Sequence, residues 1–108
     1  MTTTETSMPI PLACVPGAIP EAERPLHFAL IRRLFDETVE EREPIPNGYA
    51  FRFPADALEP LSRFLLNERK CCPFLSFALE AAPAGGPVWL RLAGPEGTRD
   101  FLDAELGL

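Results

Sequence analysis

The hydrophobic pattern of the chain changes period at Pro73, and that change confines it to folds that use both helix and sheet. Upstream, Leu58, Leu61, Leu65, Glu68 and Cys72 recur at the i, i+3, i+4 spacing of one helix face, with Phe64 and Cys71 on its flank. Asp56 suits the N-cap with Glu59 completing a capping-box-like pair, unless Pro60 moves the start. Pro73 closes this helix near Cys72, because its ring pushes the preceding residue toward extended backbone. Downstream, Phe74 to Glu80 and Val88 to Leu92 read as strands, joined through Pro83-Ala84-Gly85-Gly86-Pro87 into an antiparallel hairpin.

The remaining segments extend this pattern. A threonine-rich stretch over residues 1–8 has little to bury and reads as a flexible tail. Pro9 to Val15 is short, apolar and bracketed by proline and Gly17, which suits an edge strand. An amphipathic helix is expected over residues 21–43, with Pro25 near its start and Ile31, Leu34, Phe35 and Thr38 at helical spacing. Pro44 to Gly48 punctuates the chain, and Tyr49 to Phe53 alternates as a half-buried strand. A short helix over residues 98–106 ends it. At 108 residues there is material for one core and not two. The expected architecture is a single α+β domain over residues 9–108, ordered β-α-β-α-β-β-α, with helices on one face of a mainly antiparallel sheet.

Sixteen acidic residues against ten basic ones give a formal charge of −6, which repels phosphate backbones and anionic lipid. The basic doublets Arg32-Arg33 and Arg69-Lys70 read as solvated helix faces, so neither a nucleic-acid nor a membrane partner is expected. The N-terminal residues carry no basic and apolar leader pattern, and no run of apolar residues is long enough to span a bilayer, so a cytoplasmic location is expected. Three cysteines cannot all pair, and a reducing compartment keeps them as thiols. There is no Gly-rich phosphate loop, His-x-x-x-His or nucleophile elbow, which disfavours nucleotide enzymes, zinc hydrolases and α/β-hydrolases.

Cys71 and Cys72 are the feature most able to carry chemistry. Glu68, one helical turn back, is an acid on an apolar stripe, and it must pair, shift its proton or share a cation with the thiols. It is the candidate proton donor or acceptor. Arg69 and Lys70 favour thiolate, while the carbonyl end of the helix opposes negative charge by about 1 kcal/mol or less. Adjacent cysteines on a helix diverge, which argues against a zinc-finger or Cys-x-x-Cys site. A large soft ion in two- or three-coordination demands less, particularly with Cys14 as a third ligand. The proposed metal ligands are therefore Cys14, Cys71 and Cys72. His27, the sole histidine, reads as a core residue hydrogen-bonded to backbone. Tyr49 and Trp89 read as core aromatics.

Glu68, Cys71, Cys72, Phe74 and Phe77 spell Glu-x-x-Cys-Cys-x-Phe-x-x-Phe, and in this the chain resembles a group of small, largely uncharacterised bacterial proteins. Ala13-Cys14 and Gly94-Pro95 match steps at the start and after the last strand in that group, whereas Val15-Pro16 replaces its usual Thr-Leu. The resemblance implies an association with heavy-metal resistance. By chemistry and not by alignment, three thiols and an acid are also similar to organomercurial lyases, in which an acid protonates the leaving carbon.

Three functions fit these residues. One is thiol-based binding of a soft metal or metalloid such as mercury or arsenite. Another is an interaction or homodimerisation module whose cysteines are core atoms. The third is a thiol redox protein.

Overall fold

The computed structural model describes residues 10–108, so the tail expected over residues 1–8 lies outside them. Three helices pack on a four-stranded antiparallel sheet, an α+β fold. Single 3₁₀ turns at Pro16–Ala18 and Glu21–Glu23 lead into α1, Arg24–Arg32, which continues through a π-helical stretch at Arg33–Thr38. Strands β1, Glu41–Ile45, and β2, Gly48–Phe53, form a hairpin. Helix α2, Leu58–Cys71, follows a 3₁₀ turn at Ala55–Ala57. Strands β3, Ser76–Ala81, and β4, Val88–Ala93, form the second hairpin, and α3, Thr98–Glu105, follows.

The sheet order β1-β2-β4-β3 puts the two hairpins side by side through the β2–β4 pairing, with Phe51 opposite Leu90 and Tyr49 opposite Leu92. Alternation then sends Phe51, Phe53, Val88, Leu90 and Leu92 to the helical layer, where Leu34, Phe35, Leu61, Phe64 and Leu102 complete the core. Phe35 is its aromatic hub, meeting Phe51, Phe53 and Phe64 edge-on at centroid distances of 5.0, 5.7 and 5.4 Å. Trp89, one residue out of phase with Val88 and Leu90, is half-buried.

Two expected elements differ. From Ile10 to Val15 the described chain forms no strand, and Pro9 lies outside the described residues. Instead of joining the sheet, the Val15 N–H donates to the Cys71 carbonyl at 2.6 Å, which ties the segment to the end of α2. The first helix also stops short of residue 43, because Glu41–Ile45 pairs with β2. Pro46 sets the first corner of that hairpin and Asn47, at φ 55°, takes the left-handed second corner. Gly48 follows by necessity, since a Cβ there would lie 1.9 Å from the Leu92 carbonyl oxygen. The observed order is α-β-β-α-β-β-α. Among the described residues no helix is long and apolar enough to cross a membrane.

Candidate metal centre

Glu68 occupies the buried stripe of α2 with Leu61 and Phe64, and its side chain is fully buried. Cys71 and Cys72 follow it by three and four residues, so one helical turn carries all three toward the same interior. The divergence expected of adjacent cysteines does not occur, because α2 ends between them. Cys72 is the C-cap at φ −120° and ψ 77°, outside helical geometry, with Pro73 preventing continuation. Both cysteines are buried, at 1% and 0% exposure.

Cys14 arrives from the other side. Anchored by the Val15–Cys71 backbone bond, it sets its Sγ 2.8 Å from the Cys72 Sγ, a contact in which either thiol can donate. Cys14 is half-buried, which makes it the sulfur nearest solvent. All three cysteines are free thiols. A fourth donor is Glu105 at the end of α3, and the four ligand atoms lie within 4.8 Å of one another. This set could hold a metal ion. Glu105 was not anticipated, although a signal existed: it follows Phe101 and Leu102 by four and three residues and so shares the inward face of α3.

Glu68 is not among those four atoms. Its Oε2 accepts a long hydrogen bond from the Cys72 thiol at 3.4 Å, and its Oε1 lies 2.8 Å from His27 Nε2. His27, 2% exposed, is thus a core histidine held by a carboxylate where a backbone partner was expected. Its ring stacks on Phe64 at 5.9 Å and 15°, and its Nδ1 has no hydrogen-bond partner among the described residues.

The charges around the sulfurs have one sign. Arg69 and Lys70, expected to favour thiolate, are exposed on α2, whereas the charged groups acting on the thiols are Glu68 and Glu105. Burial, offset in part by the hydrogen bond to Cys72, pushes the Cys14 thiol up to about 12. Burial and then the Glu68 carboxylate raise Cys71 and Cys72. Burial and Glu68 also raise Glu105 above the usual carboxylate range. At neutral pH the three thiols consequently keep their protons, without the lowered thiol pKa that a redox nucleophile uses. The chain matches no protein-family model, no curated protein and no solved structure, so the chemistry of the site rests on its own geometry.

Proposed function

We propose that the protein binds one soft heavy-metal or metalloid ion through Cys14, Cys71 and Cys72. The observation that carries this reading is the convergence of three thiols from segments 58 residues apart onto one spot, with a carboxylate beside them. Sulfur donors select soft ions over hard ones, and a half-exposed Cys14 gives such an ion a way in. Glu68, in contact with the Cys72 thiol, is the group placed to relay its proton when an ion displaces it. Handling of toxic thiophilic ions is the physiological role this chemistry would serve.

Equilibrium titration of the reduced protein with mercury(II), arsenite, zinc and copper(I), beside the triple variant Cys14→Ser, Cys71→Ser, Cys72→Ser, tests the reading. One equivalent of a soft ion bound by wild type and lost in the folded triple variant supports it. Equal binding by both proteins refutes it. A second reading, cysteines that only fill space in an interaction module, is favoured by the membership of Cys71 and Cys72 in the hydrophobic core. It predicts no thiol-dependent uptake of any of the four ions.

A further inference from the structure

Resting on the three-thiol reading above, we propose that the ligand is a trivalent metalloid hydroxide of the arsenite class, held as a neutral pyramidal tris-thiolate. Two independent features of the cluster point there, its sulfur spacing and its charge.

Metal–sulfur bonds of about 2.3 Å place two sulfurs ~4.6 Å apart across a linear centre, ~3.8 Å apart around a tetrahedral one and ~3.3 Å apart at right angles. The Cys14 and Cys72 sulfurs stand at 2.8 Å, on the short side of all three and nearest the last. A lone pair on a trivalent centre presses its three bonds toward right angles, and of these geometries that one needs the least movement of the Cys14–Cys72 pair. Linear binding between Cys14 and Cys72 would need the largest separation, against a backbone bond from Val15 to Cys71 that holds the segment in place.

Charge makes the same choice. Cys71, Cys72 and Glu68 are buried, and the carboxyl groups of Glu68 and Glu105 are the acidic neighbours of the sulfurs. A divalent cation held by three thiolates and Glu105 would leave two uncompensated negative charges beside Glu68. A divalent cation on three thiolates alone would leave one. Burying net charge without a counter-ion is expensive, and His27, the buried basic side chain among the described residues, is engaged with Glu68. The metalloid avoids this. In As(OH)₃ + 3 RSH → As(SR)₃ + 3 H₂O, three arsenic–oxygen bonds break and three arsenic–sulfur bonds form. Each thiol proton leaves on a hydroxide as water. Neither arsenic nor sulfur changes oxidation state, no external base or oxidant is consumed, and a neutral reactant replaces neutral thiols with a neutral product. Glu105 has no bond to make to that product, so it stands beside the complex and not in it.

Native mass spectrometry of the full chain, reduced with a phosphine and incubated with arsenite, zinc or cadmium, tests the proposal. The expected wild-type adduct is one arsenic atom gained and three hydrogens lost, with zinc and cadmium not retained. Each single Cys→Ser variant is expected to bind arsenite more weakly by about a hundredfold or more. An arsenic adduct that keeps one hydroxide, with one arsenic and one oxygen gained and one hydrogen lost overall, overturns the proposal, and this count needs no variant to fold. Thiol-dependent zinc or cadmium binding without arsenite refutes the metalloid and leaves the soft-ion reading standing. Failure of every ion, with mercury(II) included, removes both.

Discussion

Glu68 links the buried histidine to the thiols, because its one carboxyl group meets His27 through one oxygen and the Cys72 thiol through the other. Replacing it by alanine leaves a buried imidazole and a buried thiol without their partner. The expected cost is about 3 kcal/mol, checked by urea unfolding; a loss under about 1 kcal/mol would show the contacts to be incidental. The thiols make a second prediction. The native state binds the Cys14 proton more tightly than the unfolded chain, whose cysteine titrates near 9.0 against about 12 when folded. That stability is fully present below pH 9 and is lost as pH rises toward 12. Cys71 and Cys72, raised in the same direction, add to the loss. The urea midpoint of wild type should therefore fall more steeply between pH 8.5 and 10.5 than that of the triple serine variant, whereas parallel curves would contradict the assigned burial. In the sequence, Glu68 was visible as an acid on an apolar stripe. Its partner was not, since nothing local relates His27 to a residue 41 positions away.

At the scale of elements, the end of α2 matters most. Pro73 stops the helix so that Cys72 can leave helical geometry and face the same interior as Cys71. Pro73→Ala lets α2 continue, and a helical Cys72 would be rotated by about 100° from Cys71. The expected outcome is a protein that still unfolds cooperatively, with arsenite binding weakened by about a hundredfold; retained affinity would show that the cap geometry is dispensable. Periodicity revealed α2, both strands of the second hairpin and α3, because each shows its buried face in local spacing. It concealed β1, whose residues Glu41 to Pro44 are exposed and charged or proline, with no apolar alternation to read. That strand exists through its backbone pairing with β2 and through ion pairs from Arg52 to Glu40 and Glu41. The expected strand before Cys14 failed for the opposite reason: it is apolar, but its backbone donor goes to the end of α2.

For the whole molecule, the site lies where the N-terminal segment, the end of α2 and the end of α3 meet, so an ion held by the three thiols ties the N-terminal segment to the end of α2. An ion bound only by the folded state stabilises it by mass action, about 2.7 kcal/mol at a hundredfold excess over Kd. For a chain of this size arsenite should then raise the thermal midpoint by about 10 °C or more, with no rise in the triple serine variant. The α+β class was legible because it follows from which periods occur and in what order. The makeup of the centre was legible in Cys14, Cys71 and Cys72 as residue types, yet their proximity is a property of the packed chain, as is the arrival of Glu105 from α3. The most direct test of the three-thiol centre is X-ray absorption at the arsenic edge on protein loaded with one equivalent of arsenite. The expected first shell is three sulfurs at a single distance and no oxygen; two sulfurs with a retained oxygen, or a shell of oxygen alone, would rule out the three-thiol centre.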